Sequence, residues 1–152
     1  GCDFPMKRIA RSAIVEHAAG ELFALVEDIE AYPQFLPWCR EARVRERNAG
    51  RTVATLAVGL KGVRYEFSTE NSNRPPEAID MRLLEGPFRR FEAHWRFHAL
   101  GPRAARIEFS MAYELVGGLV ARALAPVFDS IADTMVDAFK RRADQVHAKS
   151  AR

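Results

Sequence analysis

The stretch Arg106–Lys140, RIEFSMAYELVGGLVARALAPVFDSIADTMVDAFK, changes its period in the middle. Ile107, Phe109, Met111, Tyr113 and Leu115 alternate with Arg106, Glu108, Ser110 and Glu114. That period of two belongs to a strand with one buried face. Gly117-Gly118 ends it. Beyond the glycines, Leu124, Phe128, Ile131, Met135 and Phe139 recur at spacings of three or four, the stripe of a helix. The pattern runs from Leu119 to about His147, which at ~1.5 Å per residue predicts a helix about 40 Å long. Pro126 lies inside it and predicts a kink or a later start. Lys140, Arg141, Arg142 and Lys149 suit a helix C-terminus.

Upstream the period of two repeats. Phe91, Ala93, Trp95 and Phe97 share one face and Glu92, His94, Arg96 and His98 the other. Ile79, Met81 and Leu83 form another set, as do Val63, Tyr65, Phe67 and Thr69, and Ala54, Leu56, Val58 and Leu60. Turn signals separate the sets at Asn48-Ala49-Gly50, Lys61-Gly62, Asn71–Pro76, Gly86-Pro87 and Leu100–Ala104. From Glu41 the period is already two, with Val44 alternating against Arg43, Arg45 and Arg47. The count is five consecutive strands after a first one over Arg8–Glu16, an antiparallel meander of six. Between the first strand and the meander, Leu22, Phe23, Val26 and Ile29 give Ala19–Ile29 helical spacing. Tyr32–Cys39, YPQFLPWC, then holds two prolines and four large apolar residues. The prolines exclude a long helix. The apolar residues predict a short turn packed over something. The expected fold is α+β: a curved six-stranded antiparallel sheet around the long C-terminal helix, the only element large enough to cover its buried face. One domain is expected over residues 6–148, with Gly1–Pro5 read as a remnant foreign to the fold.

Composition narrows the function classes. Hydrophobic residues at 48% against 28% charged describe a globular chain. No apolar run approaches the ~20 residues that span a bilayer. There is no basic-then-apolar leader and no cysteine framework, so a cytoplasmic protein is expected. A net charge of +3 permits an anionic partner without requiring one. Cys39 reads as a buried small hydrophobe rather than a nucleophile. His94 and His98 face outward with Arg96 between them, so no metal site is expected, and no cofactor motif is found. No paired carboxylates or Ser-His-Asp arrangement appear. No catalytic residue is therefore assigned, although Tyr65, Tyr113 or Arg106 could polarise a carbonyl.

Two readings remain for the apolar faces. They are a filled core, or a pocket between helix and sheet roofed by Tyr32–Trp38; the small inward residues Ala54 and Ala93 favour the pocket. Its candidate ligand-binding residues are Tyr32, Phe35, Leu36, Trp38, Tyr65, Phe67, Met81, Phe88, Trp95, Phe109, Tyr113, Phe128 and Met135. Candidate RNA-binding residues are Arg43, Arg45 and Arg47, expected on one strand face, then Arg89, Arg90, Arg141 and Arg142. A solvated basic face is the alternative.

Tyr32–Cys39 (YPQFLPWC), Gly86–Phe91 (GPFRRF), Trp95–Phe97 (WRF), Arg106–Phe109 (RIEF) and the Val127–Phe139 helix residues together resemble the ribosome-association toxin RatA family. That family is grouped with coenzyme Q-binding START-like (SRPBCC) proteins, earlier labelled oligoketide cyclase/lipid transport. The resemblance runs from about Met6 to His147. It implies the helix-grip fold and a hydrophobic ligand such as a polyprenyl quinone or lipid. It also implies a ribosomal subunit as a partner, through block of subunit joining. Fold transfers within such a family better than function.

Overall fold

The computed structural model describes residues 6–147. The readings of Gly1–Pro5 and Lys149 lie outside the described residues. Strand β1 (Lys7–Val15) is followed by helix α1 (Ala19–Glu27) and a 3-10 turn (Ile29–Gln34). Then come β2 (Cys39–Asn48), β3 (Arg51–Val58), β4 (Tyr65–Arg74), β5 (Ala78–Glu85), β6 (Phe88–Gly101) and β7 (Ala104–Leu115), and helix α2 (Leu119–His147). The sheet has seven strands in the order β1-β7-β6-β5-β4-β3-β2, every pair antiparallel.

The count of six is therefore corrected to seven. The alternating sets from Glu41 onward number six, and with β1 they make the seven. The faintest of them is β2, an edge strand with four arginines and three glutamates/asparagines among its ten residues, whose thin apolar face of Ala42 and Val44 is only half-buried. Edge strands carry such charge because it discourages pairing with a second chain. The other edge, β1, follows the same logic with exposed Lys7, Arg8 and Arg11.

A second correction follows from β2. A bulge between Val44 and Glu46 inserts a residue, so Arg47 falls opposite Thr52 instead of sharing a face with Arg43. Arg43 and Arg45 stay on the convex side, where Arg45 Nε donates to Thr55 Oγ1 at 2.7 Å. Arg47 reaches the 3-10 turn, with Nη1 3.2 Å from Glu30 Oε1.

The concave face holds the core. Trp95, Phe97, Ile107, Phe109 and Ile79 are buried there, facing Leu124, Phe128, Ile131 and Phe139 of α2. The α2 helix is continuous from Leu119, so Pro126 neither delays nor ends it. The proline sits on the exposed side of the helix and leaves the Arg122 carbonyl without its helical N–H. The far end of α2 is fastened to α1 and the turn before it by two pairs: His147 Nδ1 to Glu21 Oε2 and His17 Nε2 to Asp144 Oδ1, both 2.7 Å. Helix α1 and the 3-10 turn thus connect the two sheet edges and close one side of the grip.

Candidate functional site

The YPQFLPWC segment is built by its prolines and by local hydrogen bonds. Leu36 N donates to Tyr32 O at 2.9 Å and Cys39 N to Leu36 O at 3.0 Å, which compacts the segment. Gly59 N donates to Trp38 O at 3.0 Å and ties it to the turn after β3. The Tyr32 hydroxyl donates to Val26 O, and burial pushes its ionisation well above the usual tyrosine range. Tyr32, Leu36 and Trp38 are buried, so the segment roofs the core.

Under that roof lies a cavity of about 50 Å³. Ile29, Tyr32 and Trp38 form one wall, and Phe128, Ile131 and Met135 of α2 another. The sheet supplies Ala54 and Leu56 from β3, Phe67, Thr69 and Asn71 from β4, and Met81 from β5. Phe91, Ala93 and Trp95 from β6 and Phe109 and Met111 from β7 complete it. The wall carries no charged side chain among the described residues. Its polar groups are Thr69, whose Oγ1 donates to Asn71 Oδ1 at 2.9 Å, the Tyr32 hydroxyl and the Trp38 indole N–H. The indole Nε1 is buried with no hydrogen-bond partner among the described residues.

Of the residues singled out in the sequence, Tyr32, Trp38, Phe67, Met81, Trp95, Phe109, Phe128 and Met135 meet at this wall. Phe35, Leu36, Tyr65, Phe88 and Tyr113 do not line it. Phe88 instead packs with Phe67, Phe91, Tyr113 and Phe128 in an aromatic cluster at one end of the grip. Phe35 lies against Phe139 and beneath the Arg142 guanidinium, 5.1 Å from its ring. Reading the sequence had missed Asn71, taken as the start of a turn. Strand β4 runs on to Arg74, and the parity of Phe67 and Thr69 continues through Asn71 to the concave side.

A volume of about 50 Å³ holds a few water molecules, whereas pockets for drug-sized ligands run to about 300–1,000 Å³. The cavity is a nearly filled core with a soft spot. Three of the chain's four methionines, Met81, Met111 and Met135, line it. Methionine is unbranched and repacks readily, so this wall can yield.

The groups considered for cyclase chemistry do not converge. Arg106 pairs with Glu108 at 3.2 Å on the convex face. Tyr113 sits opposite Lys7 on the neighbouring strand, and burial raises its ionisation against the pull of Lys7. Cys39 is buried, which pushes its thiol up to about 11 despite a hydrogen bond to the Glu41 carbonyl, so it holds no thiolate at neutral pH. His94 and His98 engage different carboxylates, Asp80 at 2.6 Å and Glu108 at 3.3 Å. Burial opposes ionisation of Asp80, but hydrogen bonds from His94 and Arg96 hold its carboxyl below the usual range.

The basic candidates are largely partnered. Arg43 lies 3.4 Å from Glu66 and 3.6 Å from Glu41, and Arg89 lies 3.7 Å from Glu114. Arg90, Lys140 and Arg141 are exposed, with no ion pair among the described residues. No helix among the described residues is long and apolar enough to cross a membrane.

A curved antiparallel sheet closed around a long C-terminal helix, with an apolar cavity between them, is the helix-grip architecture of START-like proteins. The chain belongs to the polyketide cyclase / dehydrase and lipid transport family, whose model matches residues 15–140. It is 40% identical to the ribosome association toxin RatA of Pseudomonas aeruginosa, over 91% of this chain and 96% of that one. It is 26% identical to the mitochondrial coenzyme Q-binding protein COQ10 homolog B of Xenopus laevis, over 94% of this chain and 61% of that one. Among solved structures it is similar to the Zhui aromatase/cyclase of Streptomyces, with a TM-score of 0.81, 16% identity and 93% and 95% of the two chains covered. At that identity the likeness speaks for the fold alone.

Proposed function

We propose that this protein carries an apolar ligand of the polyprenyl quinone or lipid class between α2 and the sheet. The observation behind this reading is the uncharged cavity with its methionine wall; the coenzyme Q-binding relative supports the ligand class. The ligand enters by repacking Met81, Met111 and Met135 rather than by filling an existing void. Apolar contact suffices as a driving force: a tail that buries about 200 Å² gains about 5 kcal/mol at ~25 cal/mol per Å². Met135→Trp tests the site, because the larger ring occupies the space that the methionine would vacate. Native mass spectrometry after incubation with quinone-loaded vesicles should show the bound quinone on the wild-type protein. The variant should stay folded, at a cost of about 1–3 kcal/mol for the larger ring, and should show at least about tenfold less. A folded variant that carries as much quinone as wild type would remove the ligand from this cavity.

The 40% identity to a ribosome association toxin favours a second reading, association with a ribosomal subunit. RNA contacts release counterions, so such association weakens steeply with salt, whereas apolar binding in the cavity does not. Because Arg43 and Arg47 already face carboxylates, the available cations include Arg45, Arg90, Lys140 and Arg141, all exposed and without an ion pair among the described residues. Co-sedimentation with ribosomal subunits should fall as salt rises. Charge reversal at Lys140 and Arg141 should flatten that dependence, by about one unit of log–log slope per lost phosphate contact. Wild-type protein that sediments apart from both subunits at low salt rules this reading out.

A further inference from the structure

Trp38 holds a hydrogen-bond donor with nothing to donate to. Its side chain is 1% exposed and lines the cavity, and Nε1 has no partner among the described residues. An unmet buried N–H is costly, and such groups in folded proteins mark a water or a ligand that takes up the bond. Of the wall's other donors, the Tyr32 hydroxyl gives its proton to Val26 O and the Thr69 hydroxyl to Asn71 Oδ1. The Asn71 amide is less deeply enclosed than the indole N–H, which is the wall's fully buried unpaired donor. An indole is a donor only, and this one is not free to swing out to water. Its backbone is fixed through Trp38 O to Gly59 N, and Pro37 precedes it.

We infer that Trp38 Nε1 is the recognition point for a neutral oxygen acceptor on the ligand, such as the carbonyl of a quinone or ketone ring. The inference rests on the carrier reading and refines it. A carboxylate ligand is disfavoured, since the wall offers no cation to offset its charge and burying an unpaired charge is costly. A hydrocarbon of the same shape leaves the N–H unmet. The cavity thus discriminates by one hydrogen bond, about 1.4 kcal/mol, which is about tenfold in affinity.

The test pairs two probes of similar shape, 2-decyl-1,4-benzoquinone and decylbenzene, on the full chain and on Trp38→Phe. Wild type should bind the quinone about tenfold more tightly than the hydrocarbon. The variant should bind the two about equally, the preference for the quinone being lost. A second measurement needs no substitution: in wild type the Trp38 indole N–H proton should shift downfield with the quinone and stay in place with decylbenzene. Equal binding of the two probes by wild type, or a preference that persists in a folded Trp38→Phe, overturns the inference and leaves the carrier reading standing. Binding of neither probe by wild type overturns both.

Discussion

Gly59→Ala is expected to destabilise the protein by at least about 3 kcal/mol, read as a lower urea midpoint at unchanged slope. A Cβ on Gly59 would stand 1.7 Å from the Val63 carbonyl oxygen and 2.7 Å from its carbon. Both are backbone atoms of the tight turn between β3 and β4, so no rotamer change relieves the clash. The turn must open, and Gly59 N must then leave Trp38 O. The substitution should therefore also loosen the roof of the cavity. An alanine variant within about 1 kcal/mol of wild type would mean that the turn is not as tight as the structure has it.

Phe139→Ala should cost about 3–5 kcal/mol. The ring is fully buried and meets Tyr32, Phe35 and Trp95 edge-on, with centroids 5.6, 5.1 and 5.3 Å away. It joins three elements at once: α2, the 3-10 turn with its following loop, and β6. Phe139 lies outside the cavity wall, so its removal opens a new void among side chains already packed on all sides. A loss below about 2 kcal/mol in thermal or urea unfolding would show that these rings close over the gap.

Much of this fold is written in periods. The change of spacing at Gly117-Gly118 places β7 against α2, and each alternating set upstream corresponds to a strand of the meander. With β7 those sets number six and with β1 they make all seven strands, so the count of six fell short of the pattern itself. Cys39–Asn48 is the faintest set, because an edge strand needs charge more than burial. The bulge before Glu46 has no mark in the residues at all. It is a backbone event that changes parity, and with it the side of the sheet on which Arg47 lies. The site was partly legible for a related reason. Alternation gave the concave residues such as Phe67, Met81, Trp95 and Phe109. It could not say how far along the grip the cavity sits, and that distance separates Phe67 in the wall from Tyr65, Phe88 and Tyr113 outside it. Asn71 was hidden because its residue type speaks for a turn while its position in β4 speaks for the core. The unpartnered indole of Trp38 is a property of the packed state and has no sequence signal.

The central claim is that the space between α2 and the sheet accepts an apolar quinone-class ligand. The chain has two tryptophans, Trp38 and Trp95, and both line the cavity. A quinone seated there lies against both indoles and quenches their emission. Titration of the wild-type protein with decylubiquinone should therefore quench the tryptophan fluorescence, saturating near one equivalent, with no change in secondary structure. Quenching that rises linearly with quinone, no steeper than for free tryptophan in solution, would contradict the claim.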